Sequence, residues 1–166
     1  LRAFGGGWSF SGAPATDGYL LDTSPLNLWF RIRERSIHPD YSGDKAGLYF
    51  VQCGNSIAGL NRNLRTEGRS LRTTGASNGQ SIVGAMSTGT HGSAIDVGAV
   101  QDFVVGIHLV VAPDRHLWIE RSSSPVTTDG FAGLLGAELR RDDELFNAVL
   151  VGLGAFGLVH GVMIET

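Results

Sequence analysis

Cysteine is nearly missing from this chain. The single thiol, Cys53 among 166 residues, rules out an internal disulfide, and no Cys or His stands near it at the spacing of a zinc site. It reads as a buried thiol, and no metal site is expected. Long apolar runs are missing as well: none approaches the ~20 residues a membrane helix needs. No charged segment with a cleavage site opens the chain, so the sequence reads as a soluble, cytoplasmic protein without a membrane span. Positive charge is scarce, with 13 Lys and Arg against 16 Asp and Glu and a net charge of −3. Arg31, Arg33, Arg35 and the arginines from Arg62 to Arg72 are interleaved with acids, glycines and polar residues. No sustained basic face emerges, and nucleic acid is not the expected partner. The Gly-Lys-Ser/Thr of a Walker loop is also absent.

Glycine is what the chain has in excess. Its 24 glycines cluster in three places with no collagen-like period, so they serve local backbone geometry. The length suffices for one core or for two small lobes sharing an interface, and neither a repeat nor a domain linker stands out. Leu1 is not Met, and a glycine turn follows within a few positions, so a folding unit is expected to begin upstream.

Apolar Leu1 to Phe4 running into Gly5-Gly6-Gly7 has the pattern of a strand ending in a tight loop. Strands are expected around Tyr19 to Leu21, Leu26 to Ile32 and Leu48 to Gln52. Ser56 is placed to cap a helix with Ile57, Leu60 and Leu64 on one face and Gly68 just past its last turn. The stretch from Thr74 to Gly92 is too rich in small residues to bury a face and reads as a loop with one short helical piece near Ser81 to Ala85. Val104 to Val111 and Leu117 to Glu120 form a hairpin about Pro113-Asp114. Ser122 to Thr128 is a polar connection. Asp142, Asp143 and Glu144 open a helix through Phe146 and Val149, where acids suit the positive end of its dipole. The third glycine cluster then leads into a terminal strand, Leu158 to Ile164.

That third cluster is a false lead. Gly152, Gly154 and Gly157 spell G-x-G-x-x-G, but the dinucleotide fingerprint needs a strand before it and a helix after it, and here the order is reversed. The first cluster, Arg2-Ala3-Phe4-Gly5-Gly6-Gly7-Trp8-Ser9-Phe10, has a stronger reading as an anion cradle: successive N–H groups converge without Cβ atoms in the way. An ordinary glycine turn explains the same residues about as well. In the second, Thr88-Gly89-Thr90-His91-Gly92 gathers small residues, hydroxyls and an imidazole, which lets main chain approach a flat ligand closely. A polar loop with a satisfied histidine is the alternative there.

Taken in order, GGGWS, GAMSTGTHGS and GLGAFGLV resemble the FAD-binding domain of the vanillyl-alcohol-oxidase and para-cresol-methylhydroxylase family, especially its aldonolactone and alditol oxidase branch. The resemblance runs from Leu1 almost to Thr166 and makes residues 1–166 one FAD-binding domain. It implies a two-lobed α+β fold, a small parallel-sheet lobe beside an antiparallel-sheet lobe with flanking helices, and FAD extended between them. By that likeness Gly5, Gly6, Gly7, Trp8 and Ser9 hold the pyrophosphate. Ala76, Ser81, Gly84, Thr88, Gly89, Thr90, His91 and Gly92 lie along the ribityl chain, pyrophosphate and flavin ring, and the main chain of Val159 meets the adenine. Many relatives bond flavin covalently through a histidine after the glycines; Trp8 stands there instead, so FAD is expected to be noncovalent.

The resemblance also implies an oxidoreductase acting on a CH–OH group of a sugar, lactone or polyol, with a small-molecule substrate and an electron acceptor as its partners. A separate substrate domain supplies the catalytic base, so no residue here is assigned a catalytic role. His91 either stabilises reduced flavin or holds its own loop. The alternative reading is a flavin-binding module or subunit without catalysis of its own.

Overall fold

The computed structural model describes residues 1–166, arranged as two sheets of unequal size. The smaller pairs β1 (Arg2–Phe4) in parallel with β2 (Leu20–Asp22), Arg2 opposite Leu20. Beyond β2 the Thr23 amide and hydroxyl both donate to the Phe4 carbonyl, at 3.0 and 2.9 Å. This clamp fixes the end of β1 from which the first glycine loop leaves.

The larger sheet has six strands: β3 (Trp29–Arg31), β4 (Leu48–Gln52), β5 (Val104–Ala112), β6 (Arg115–Glu120), β7 (Glu138–Arg141) and β8 (Leu158–Glu165), in the order β3-β4-β8-β5-β6-β7. All neighbours are antiparallel except β6 and β7. The C-terminal strand therefore lies in the middle. Its apolar run fits that place, since a central strand is covered on both faces.

Four helices complete the chain: α1 (Ile57–Thr66), α2 (Ile82–Ser87), α3 (Asp129–Leu134) and α4 (Asp143–Leu150). α1, α2 and α4 share the main core with one sheet face, where Ile57, Leu60, Leu64, Met86 and Phe146 meet Tyr49, Val51, Ile107 and Val162. On the other face Leu48, Phe50, Trp118 and Met163 pack with Ile32, Ile37, Val126 and Phe131 of α3. Each helix except α3 starts from a side-chain cap: Ser56 accepts from Gly59 N, Ser81 from Gly84 N and Asp142 from Leu145 N.

This is the expected α+β architecture, a small parallel sheet beside a larger, mainly antiparallel one. The hairpin, the terminal strand and the three capped helices lie where the sequence pattern puts them. The strand expected over Leu26 to Ile32 shortens to Trp29–Arg31, because Leu26 and Leu28 present their carbonyls to Gly54 N and Gln52 N as the chain turns in. Helix α3 and strand β7 have no clear signature in sequence, being short and rich in glycine or in charge. They are held by Glu120, which is fully buried. It accepts from Trp118 Nε1 at 2.7 Å, from the amides of Val126 and Thr127 at 2.9 Å each, and from the Thr127 hydroxyl. Arg141 of β7 faces it at 3.5 Å. No helix is long and apolar enough to cross a membrane.

Candidate functional site

The loop after β1 and the segment around α2 come from opposite ends of the first hundred residues, and the fold presses them together. A Cβ on Gly6 would stand 2.5 Å from the Gly79 carbonyl, and one on Gly5 would run into the Ser81 hydroxyl. The Trp8 indole lies flat on Gly79, leaving no room for a side chain there. Main chain thus meets main chain, which is the contact glycine alone permits.

The second segment is anchored from behind. Ile57 N donates to Gln80 O, Ala58 N to Asn78 O and Ile82 N to Asn55 O, all within 2.8 to 2.9 Å, so the segment is sewn to the start of α1. After α2 the chain reverses at Gly89, whose φ of +67° belongs to the left-handed region. Thr90 N reaches back to Ala85 O at 3.0 Å, and Thr90 O accepts from Val100 N at 2.9 Å.

Between the two loops runs a groove of about 440 Å³. Of the residues expected to bind the cofactor, Trp8, Ala76, Thr88, Gly89, Thr90 and His91 line it. Gly5 and Gly6 pack against its wall at Ser81 and Gly79, Gly7 carries the turn at φ +70°, and Ser9 lies on the exposed loop bonded to Ser11. Ser81 and Gly84 form the capped first turn of α2, bonded at 3.2 Å. Gly92 sits against Thr74 O, 2.8 Å from where its Cβ would be. Val159 is placed elsewhere, in β8 opposite Leu109 and outside the groove lining. It lies beyond the last β4 partner of that strand, the Gln52 and Gly161 pair.

Four lining residues were not among those expected to bind the cofactor: Phe10, Gly75, Ser77 and Gln80. Gly75 is required by contact, because a Cβ there would be 2.8 Å from Thr90 Cγ2. The side chain of Gln80 makes no hydrogen bond within the chain, and its buried Oε1 has no partner. His91 Nδ1 donates to Gly92 O at 2.9 Å, which leaves Nε2 of the neutral ring as an acceptor. The imidazole therefore holds its loop.

A groove between two glycine-rich loops, lined by hydroxyls and walled by an indole, suits an elongated, partly aromatic and partly anionic ligand. Comparison with known proteins says which one. Residues 1–119 match the model of the FAD binding domain family, and the chain belongs to that family. It is 37% identical over 152 residues to L-gulonolactone oxidase 3 of Arabidopsis thaliana, covering 90% of this chain and 22% of that protein. It is 28% identical to L-gulono-1,4-lactone dehydrogenase of Mycobacterium tuberculosis, covering 100% of this chain and 32% of the relative. The same fold occurs in a VAO-type flavoprotein of Myceliophthora thermophila, with TM-score 0.73 and 19% identity over 99% of this chain and 26% of that one. Cholesterol oxidase of Brevibacterium sterolicum shares it at TM-score 0.67 and 17% identity, over 99% and 29% of the two chains. The chain thus spans between about a fifth and a third of the length of these relatives.

Proposed function

We propose that the groove holds FAD noncovalently, and that the chain is the cofactor-binding part of an oxidoreductase that takes a hydride from a carbon bearing a hydroxyl group in a sugar lactone or related polyol. The observation that carries this reading is the convergence of Trp8, from the first glycine loop, and Thr88 to His91 on one groove, with Gly5 and Gly6 packed against its wall. The residues fit the group: Gly5, Gly6, Gly7, Trp8 and Ser9 offer main-chain N–H groups to a pyrophosphate, as a nest does. Ala76 and Thr88 to His91 line the path of the ribityl chain and ring, while Ser81, Gly84 and Gly92 fix the main chain of that wall from behind.

Bound flavin supplies the hydride-accepting ring, while the protein supplies orientation and electrostatics. The division of labour among the residues follows from their contacts. Ser81, tied to Gly84 N, and Thr88, whose hydroxyl donates to Gly84 O at 3.0 Å, keep α2 and the following turn in one geometry. Trp8, 49% exposed, forms an aromatic wall of the groove with Gly79 packed against its ring. An indole has no ring nitrogen with the nucleophilicity of an imidazole, so the wall packs against the ring system and forms no bond to it. The lactone substrate class is supported by the relatives, which include lactone oxidases and dehydrogenases. Electrons leave to oxygen or another small acceptor.

The test is spectroscopic. Purified full-length protein is expected to show flavin absorbance that bleaches on anaerobic addition of an aldonolactone such as L-gulono-1,4-lactone. Acid precipitation is expected to leave all the flavin in the supernatant. Protein that takes up no flavin after incubation with FAD rules the reading out.

A further inference from the structure

Gln80 is the groove residue with a buried polar side-chain atom that the fold leaves unpaired. Its main chain is fixed, because its carbonyl accepts from Ile57 N at 2.9 Å. Its side chain lies among Gly75, Thr88 and Thr90 on the groove wall, with the amide nitrogen 3.6 Å from where a Cβ on Gly75 would be. Neighbouring polar groups are engaged within the chain: Ser81 caps α2, Thr88 bonds to Gly84 and His91 bonds to Gly92. The Gln80 amide bonds to nothing in the chain, and its Oε1 is buried.

Burying an amide end without a partner is unfavourable, and no packing gain at this site requires an amide over a thioether or a leucine of similar size. The partner it lacks has a definable chemistry. Rotation about the last side-chain bond exchanges the carbonyl and NH2 ends, so the amide presents an acceptor or a donor to the same point. A phosphate oxygen satisfies only the donor. A hydroxyl both donates and accepts, and so satisfies either end.

We propose that Gln80 is a ligand-binding residue, its amide hydrogen-bonding a hydroxyl of the sugar or polyol chain of the dinucleotide in the groove. The proposal rests on the reading of the groove as the FAD site and adds a contact that fixes the polyol segment between ring and pyrophosphate. The unburied Nε2 end donates to the ligand hydroxyl as the amide stands, and rotation of the amide on binding brings the unpaired Oε1 to the same hydroxyl.

The test compares full-length wild-type protein with Gln80→Met, which keeps the length of the side chain and removes the amide. FAD affinity is read by fluorescence titration, and the unfolding midpoint is read without FAD. Affinity is expected to fall about tenfold in the variant, the scale of one well-made hydrogen bond to a hydroxyl. The midpoint of the free protein is expected to hold or rise, since an unpaired buried group has been removed. Competition with FMN and with ADP then locates the hydroxyl, and at least one of these half-ligands is expected to lose affinity in step with FAD. Three outcomes overturn the proposal: unchanged FAD affinity in the variant, a loss of affinity that only tracks a lower midpoint, or FMN and ADP both unaffected. Wild-type protein that binds no FAD removes the cofactor reading itself, and this proposal with it. Wild-type binding with an equally tight Gln80→Met variant removes this proposal alone.

Discussion

His160 presents its Nδ1 to Nδ1 of His108 at 2.8 Å across the β5–β8 ladder, at the point where a bulge shifts the register from His108 opposite Gly161 to Leu109 opposite Val159. The direction of this bond is fixed from its far end. Gln52 Oε1 accepts from Leu28 N at 2.9 Å, so Gln52 Nε2 donates to His160 Nε2 at 3.0 Å. His160 is then neutral with its proton on Nδ1, which it gives to His108. His108 carries its own proton on Nε2, a buried donor with no partner.

Acid is expected to weaken the fold through this pair. Burial, with His160 and His116 nearby, lowers His108 from an ordinary 6.5 to about 4, and burial also lowers His160. Above pH 6.5 neither folded nor unfolded chain binds these protons. As pH falls from 6.5 toward 4 the unfolded chain takes up a proton that the folded chain refuses, so stability declines through that window. Urea unfolding at pH 8 and pH 5 should show a lower midpoint at pH 5, and His108→Gln should flatten the dependence. A midpoint independent of pH across this range contradicts the assignment.

Glu120 organises the far side of the sheet, and its removal is expected to be severe. Glu120→Ala leaves the Trp118 N–H, two amides and the Arg141 guanidinium facing an empty buried site. A loss of about 3–5 kcal/mol is expected, as for one partner removed from a buried pair. Glu120→Gln keeps an acceptor and should lose roughly half as much. Denaturation midpoints of the two variants check the ranking.

Leu153 is the chain's only residue besides glycine with positive φ, at 51°, and its side chain is 70% exposed. Replacing it by glycine removes the left-handed cost of a side chain and adds back some unfolded-state entropy. The net expectation is a gain of about 0.5–1 kcal/mol. Thermal unfolding of Leu153→Gly measures it, and a fall in midpoint would show that the exposed leucine makes a stabilising contact.

The seam between the loops is expected to be more sensitive than its exposure suggests. Gly79→Val places a branched side chain where the Trp8 ring lies and pushes the two walls apart. FAD affinity should fall tenfold or more, with a smaller change from Trp8→Phe, which keeps a flat ring on Gly79. Trp8→His probes the same wall chemically. Flavin that stays with this variant after acid denaturation would place the residue beside a reactive edge of the ring.

Much of this was legible in the chain before folding. Ser56 announces a helix start, because a short side-chain oxygen next to unpaired N–H groups is a local chemical fact, and the acids Asp142 to Glu144 mark another by suiting its dipole; that Ser81 and Asp142 are themselves caps is visible only in the structure. The apolar, β-branched run of β5 and the turn at Pro113-Asp114 are equally local. Helix α3 and strand β7 were not legible, since what holds them is Glu120 and Arg141 across space. Gln80 gave no sign either: a glutamine among polar residues looks like any solvated side chain until its surroundings show that its amide has no partner.

The sequence by itself determined the elements of the cofactor site. Runs of glycine and small hydroxyl residues let main chain approach a ligand closely, and their order along the chain carries the family likeness. Tertiary structure decided that these loops face each other, which wall each residue forms, and that Val159 stands apart in the central strand. Burial, the missing partner of an amide and the closeness of two glycines are relations between distant segments, and no local pattern encodes them.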